Sequence, residues 1–179
     1  MKTSPLAPAL AFSLLLLAPA RADNLLVNPG FESGDLSAWT TFGFGWRLGT
    51  GEDAHSGTYG LLVTDDLEAD TDIWRGIHQE VPVSPRLTYS ASVAIRAVKV
   101  RYSSAWLEIN WLDDKGHVIN QIQSRHVTRD QKFTPMVCKK IRAPAGAASA
   151  SLRGIFFMPA KPRRDNAFFI FDDFVFEPD

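Results

Sequence analysis

From Tyr59 onward the chain alternates short runs of branched and aromatic residues with brief clusters of Gly, Pro, Asp and Ser. Such runs, punctuated at short and fairly regular intervals, predict β-strands. They fall at Tyr59 to Val63, Ile73 to Val83, Leu87 to Val98, Ala105 to Leu112, Val118 to Val127, Lys132 to Ile141, Ala147 to Phe157 and Phe168 to Phe176. No stretch beyond the first residues sustains a helical period. Eight or more short strands in one domain predict an all-β, two-sheet antiparallel β-sandwich or jelly roll.

Period two sorts each run into faces. Tyr89, Ala91, Val93 and Ile95 read as core, as do Leu107, Ile109 and Trp111, and Ala150 with Leu152. The opposite faces carry Ser90, Ser92 and Arg96, then Trp106, Glu108 and Asn110, then Ser149, Ser151 and Arg153. Trp106 with Glu108 and Asn110 sets an aromatic, an acid and an amide two residues apart on one strand face. Aromatic rings stack on the C–H faces of sugars, and planar polar groups aim hydrogen bonds at the hydroxyls round their edges. Trp106 is therefore expected as an exposed stacking platform. Trp74 is the second aromatic candidate, and Arg96 and Arg153 are flanking polar candidates. Trp39 and Trp111 are assigned to the core. Trp46, in Gly43-Phe-Gly-Trp46, either lines a loop at the groove mouth or packs beneath it.

The two ends of the chain place carboxylates inside apolar runs, Glu32 near the start and Asp172 with Asp173 near the end. A buried carboxylate is costly unless a cation or hydrogen bonds satisfy it. If the first and last strands lie side by side, these acids could share one hard cation. Alternatively, Glu32 caps a turn and the aspartates close a strand. His55, His78, His117 and His126 lack the spacing of a zinc site.

The first residues change the picture of the ends. Lys2, the apolar stretch Leu10 to Ala18 and Ala20-Arg-Ala22 have the layout of a secretory signal peptide. Cleavage after Ala22 is expected to leave residues 23–179 as one domain, secreted or periplasmic and without a membrane span. The 179-residue chain has 19 basic and 20 acidic residues, and loss of Lys2 and Arg21 leaves 17 against 20. That balance argues against a nucleic-acid partner or an anionic membrane surface. Lys161-Pro-Arg-Arg164 reads as a solvated loop. Cys138 is the only cysteine, so no internal disulfide can form. It is expected at a strand surface or edge.

The order of several phrases resembles the family 4, 9 and 22 type of jelly-roll carbohydrate-binding modules, with a galactose-binding-domain-like sandwich. These are Asn24-Leu-Leu-Val-Asn-Pro-Gly-Phe-Glu32 with Trp39, His55-Ser-Gly57, Trp74-Arg-Gly-Ile-His-Gln79, Leu87-Thr-Tyr-Ser90, Ala143-Pro-Ala-Gly-Ala147 and Phe171-Asp-Asp-Phe174. The resemblance implies two antiparallel sheets, one curved into a groove, and a structural calcium near the joined ends. By the family pattern the calcium ligands are the Gly30 carbonyl, Glu32, a Ser56 carbonyl and Asp172, with Asp53 as a lesser addition. Phe133 stands where the family often has Trp.

The function expected is non-catalytic binding of a polysaccharide or oligosaccharide by Trp74, Arg96, Trp106, Glu108, Asn110 and Arg153. A separate glycan-active enzyme or a surface assembly is a further candidate partner. The competing reading is a structural, adhesion or protein-interaction sandwich, marked by an exposed apolar patch. A glycoside-cleaving enzyme needs a second carboxylate beside Glu108. Glu80 and Asp113 are the candidates, and no motif brings either to it.

Overall fold

A computed structural model describes residues 23–64, 70–160 and 166–179. The expected signal segment and the expected Lys161–Arg164 loop lie outside the described residues. Ten strands run in order: β1 (Thr40–Phe42), β2 (Trp46–Thr50), β3 (Tyr59–Thr64), β4 (Ile73–Pro82), β5 (Thr88–Val98), β6 (Ser104–Leu112), β7 (Val118–Gln123), β8 (Gln131–Arg142), β9 (Ser149–Met158) and β10 (Phe168–Pro178). They form two five-stranded sheets, β1-β4-β9-β6-β7 and β2-β3-β10-β5-β8. Every pairing is antiparallel. The expected all-β sandwich is the fold observed.

Alternation decides what lies between the sheets. Ile77, Leu107, Ile109, Trp111, Leu152 and Phe156 come from the first sheet, and Leu61, Val63, Val93, Ile95 and Met136 from the second, all fully buried. Two short strands escaped the sequence pattern. β1 and β2 are three and five residues long, and Gly43 and Gly45 between them sit at φ +72° and +86°. These glycines fold tightly over the buried Arg75, whose Nη1 donates to the Thr64 carbonyl at 2.8 Å. Trp46 heads β2 and packs toward the core, its ring 6.1 Å from Phe171.

Strand β10 carries the largest irregularity. Phe169 and Phe171 face the core, and so do Phe174 and Phe176, which have the opposite parity. A bulge reconciles them. Asp172 pairs with Ala94 and Val175 with Ser92, so β10 holds one extra residue there, and Asp173 takes φ +49°. Beyond the bulge, the N-terminal segment pairs where β3 has ended. Leu25 N donates to Phe176 O at 2.8 Å, and Phe174 N donates to Pro29 O at 3.0 Å. Asn24 adds two side-chain bonds to the main chain of Phe174 and Phe176. Trp39 stacks into the same region, 4.9 Å from Phe174.

Cys138 lies on the edge strand β8, as one of its two expected places had it, with its side chain in the core rather than at the surface. Burial pushes its thiol pKa up. No helix among the described residues is long and apolar enough to cross a membrane.

Trp111 is fully buried between Tyr89 and Phe176. Trp111→Ala is expected to cost about 3–5 kcal/mol of stability, read as a drop in the urea midpoint at unchanged slope.

Candidate functional site

The outer face of the first sheet is ordered in rows by strand register. One row runs His78, Arg153, Glu108, Gln123 across β4, β9, β6 and β7. The next runs Glu80, Ser151, Asn110, Gln121. On the other side lie Gly76, Ile155 and Trp106, then Trp74, Phe157 and Ser104. The face therefore grades from aromatic to polar along the strands.

Glu108 is the hub of the polar row. Its carboxylate accepts from Arg153 Nη1 at 3.1 Å, Gln123 Nε2 at 2.9 Å and Trp106 Nε1 at 3.3 Å. Arg153 also lies over the Phe42 ring, 5.2 Å from its centroid. Buried polar atoms are normally hydrogen-bonded. Here Asn110 Oδ1, His78 Nδ1 and Arg153 Nε are buried with no hydrogen-bond partner in the protein. All three belong to the two polar rows. Burial, then the neighbouring Arg153, lowers the His78 pKa against the pull of Glu80, which favours the neutral ring.

Trp106 corrects an expectation. It points away from the core, but it is only 2% exposed. His126 stacks on it face to face, with centroids 4.1 Å apart and planes 3° apart, and Trp74 meets it edge-on at 5.6 Å. His126 reaches Gln123 Oε1 at 3.2 Å, and burial lowers its pKa against the pull of Glu108. Alternation told which side of β6 Trp106 occupies, not that residues after β7 would cover it. Trp74, at 56% exposed, is the open aromatic, with Phe157 beside it at 4.7 Å.

Arg96 corrects another. It lies on β5 in the second sheet, where it donates to the Glu52 carbonyl at 2.5 Å and pairs with Glu52 at 3.4 Å and Asp53 at 3.6 Å. Parity assigns a face to a strand but not a strand to a sheet. The same contacts engage Asp53 on Arg96. His78 and His126 were missed as members of the face. His78 had a signal, because it shares parity with Trp74 on β4. His126 had none, since the strand expected over Val118 to Val127 ends at Gln123, and its parity in the longer run would have put it on the face opposite Gln121 and Gln123.

The expected metal residues gather at the β10 bulge. Asp172 is fully buried, and its Oδ2 accepts from the main-chain N–H of His55 at 2.7 Å and of Ser56 at 3.2 Å. Asp173 Oδ2 sits 2.7 Å from His55 Nδ1, and its Oδ1 accepts from Ser56 Oγ at 2.8 Å. Glu32 accepts from the N–H groups of Thr58 and Tyr59. A side chain at Gly30 would stand 3.2 Å from the Asp173 carboxylate and 3.5 Å from that of Asp172. Burial lifts the Asp172 pKa from 3.8 to about 6 despite its hydrogen bonds, with Asp173 adding to the rise. No three His, Cys, Asp or Glu side chains are grouped to hold a metal ion among the described residues. The carboxylate oxygens of Asp172, Asp173 and Glu32 are donors of the hard kind that calcium takes, and here they meet main-chain N–H groups, the Ser56 hydroxyl and the His55 ring.

The family model described as carbohydrate binding domain, of the 4 and 9 type, matches residues 23–135. The chain belongs to that family. No curated protein matches it. Among solved structures it is similar to TmCBM61 in complex with beta-1,4-galactotriose, at TM-score 0.64 and 20% identity over 88% of this chain and 100% of that one. The CBM22-1 xylan-binding domain of Paenibacillus barcinonensis Xyn10C superposes at TM-score 0.58 and 20% identity, over 90% and 97%. The enzymatically active domain of Bacteriophage CBA120 tailspike protein 4 gives TM-score 0.68 at 13% identity, over 87% of this chain and 21% of that one. At these identities the likeness establishes the fold.

Two variants check the covered tryptophan. Trp106→Ala is expected to cost roughly 3 kcal/mol, the low end for deleting a buried Trp, because its neighbours on the solvent side can settle inward. His126→Ala is expected to change the melting temperature little, yet to red-shift tryptophan emission and raise acrylamide quenching as Trp106 opens.

Proposed function

We propose that the protein is an exported, non-catalytic carbohydrate-binding module that holds a glycan on the outer face of the first sheet. The observation that carries this reading is the trio of buried, unpartnered polar atoms, Asn110 Oδ1, His78 Nδ1 and Arg153 Nε. They lie on the face that also carries the exposed Trp74. Sugar hydroxyls both donate and accept, so they suit an amide oxygen and a guanidinium N–H together. Trp74 supplies the stacking surface, and Arg153 and Glu108 hold each other in place. The three donors on Glu108 favour a positioning role for that carboxylate over a catalytic one. Export is supported by the signal-like first residues, and a separate glycan-active enzyme remains a partner consistent with the family.

Trp74→Ala is expected to leave stability within about 0.5 kcal/mol, as for an exposed position. It is expected to weaken binding at least tenfold, with Asn110→Ala acting in the same direction. Affinity electrophoresis over a polysaccharide panel that includes β-1,4-galactan and xylan, polymers of the sugars named with the similar modules, checks this. Unchanged mobility shifts for Trp74→Ala on every glycan the parent binds would sink the sheet-face assignment and favour the protein-interaction reading.

A structural calcium at Asp172, Glu32 and the carbonyls of Gly30 and Ser56 belongs to the same proposal. It would supply the positive charge that the buried Asp172 lacks and tie the two ends of the chain together. A ligand bound only by the folded form adds about 2.7 kcal/mol at a hundred times its dissociation constant. The sign with pH follows from Asp172. Its raised pKa means that the folded, metal-free chain holds this proton more tightly than the unfolded one. The stability gained from it is complete below about 3.8 and is lost as pH rises through about 6. Calcium needs the deprotonated form, so the melting-temperature drop on chelation is expected to be largest above pH 7 and to shrink below pH 6. Calorimetry with calcium-loaded and chelated protein reads it, and Asp172→Asn should abolish the difference. Equal melting temperatures at pH 7.5 in protein shown to be loaded would overturn the calcium assignment.

A further inference from the structure

Arg86 and Arg142 line one cavity of about 420 Å³ with Asn120, Ala143, Pro144 and Ala145. We propose that this cavity is a second ligand site, taking an oxyanion carried on a sugar ring, either a uronate carboxylate or a sulfate ester. It spans the edges of both sheets, since Asn120 is on β7 and Arg142 on β8. Asn120 alternates with Gln121, so it projects to the side of β7 opposite the polar rows.

Four observations carry the proposal. Two arginines and no acidic residue line the cavity, and neither arginine has an ion pair among the described residues. A bound anion would give both charges a partner. The residues from 23 onward carry 17 basic against 20 acidic side chains, so a purely basic cavity runs against the overall balance. Next, the guanidinium of Arg142 is oriented in advance. Its Nε donates to the Arg86 carbonyl at 3.1 Å, leaving the terminal nitrogens for a bidentate oxyanion.

The turn that presents Arg86 supplies the third observation. Arg86 sits at φ +67°, a conformation uncommon for a residue other than glycine. It is held there because Arg86 N donates to Ala143 O at 3.0 Å and Ala143 N donates to Leu87 O at 2.8 Å. The strained residue is thus clamped to the cavity's own wall, the kind of arrangement found where a side chain has a binding task. Finally, Ala143, Pro144 and Ala145 make the rest of the wall apolar, with Leu87 exposed next to Arg86. A bare inorganic anion has no use for that surface, whereas the C–H face of a sugar ring does. That the anion rides on a sugar rests on the glycan reading above. The anion itself does not.

The test follows the Nε–H resonances of Arg86 and Arg142 by two-dimensional NMR on the mature chain. The probes are trigalacturonate, a sulfated galactotriose, neutral galactotriose and sodium acetate. Saturable shifts are expected with one or both charged trisaccharides, and which of them shifts the resonances tells carboxylate from sulfate. Neutral trisaccharide and acetate are expected to leave both resonances in place at the same concentration. Arg142→Gln should weaken the charged trisaccharide at least tenfold. Arg86→Gly should do the same without loss of fold, because glycine suits the positive φ. Trp74→Ala should leave these shifts intact, so failure of the sheet-face site and failure of this one read out separately. No shift with either charged trisaccharide, or acetate shifts equal to theirs, would overturn the proposal. Undiminished affinity in both folded arginine variants would do so too.

Discussion

Four phenylalanines of the last strand must all reach the core, and they do not share one parity. Phe169 and Phe171 precede the break and Phe174 and Phe176 follow it, all fully buried. A regular strand would send one pair to solvent, at a cost of several kcal/mol for two large apolar side chains. The extra residue at Asp172–Asp173 restores both pairs to the interior. What the bulge expels from the core is a pair of carboxylates. They emerge beneath the His55–Ser56 turn, whose N–H groups and hydroxyl satisfy them. The N-terminal segment docks on the free edge that follows. Hydrophobic registration in β10 therefore sets where the ends of the chain meet and where the negative charge is concentrated.

That dependence explains why the carboxylates were legible in the sequence while their geometry was not. Acids inside an apolar run announce a special backbone position. Regular alternation would put Asp172 on one face with Phe174 and Phe176, whereas the bulge puts it on the opposite face from both. The strands from β3 to β10 were readable because each is long enough to show its period. β1 and β2 were not, since their glycines and short length leave no period to read. Tyr89, Leu107, Trp111 and Leu152 fell where parity put them, because a face buried on a sheet is a local property. Arg96 did not join Trp106, because sheet membership is decided by pairing across the whole chain. The cover over Trp106 is likewise a tertiary fact, made by His126 from beyond the end of β7.

The outer face of the first sheet has its own internal logic. Trp106 is withdrawn from solvent, and its indole N–H instead points at Glu108, which also fixes Arg153 and Gln123. An arginine held by a carboxylate on one side and an aromatic face on the other loses little freedom on meeting a ligand, which is how preorganisation helps binding. The buried ring thus orders the polar row through Glu108 while staying out of solvent. Trp74 is left in the open at the edge, and the unpartnered atoms of Asn110 and His78 lie across the middle.

If the sheet face holds a glycan and the Arg86–Arg142 cavity takes an anionic sugar, the module is bivalent. Two sites on one rigid body raise the effective concentration of a long chain at the second once the first is engaged. The gain exists only if one polymer can reach both. The sheet-face rows and the Arg86–Arg142 cavity are on opposite sides of β7, so a single straight chain lying along the rows would not pass through the cavity. Avidity would then come from a polymer that bends round the β7 edge, or from separate chains in a matrix. Cross-linking of a charged, branched polysaccharide would favour the second geometry, and tight one-to-one binding of a long flexible one would favour the first.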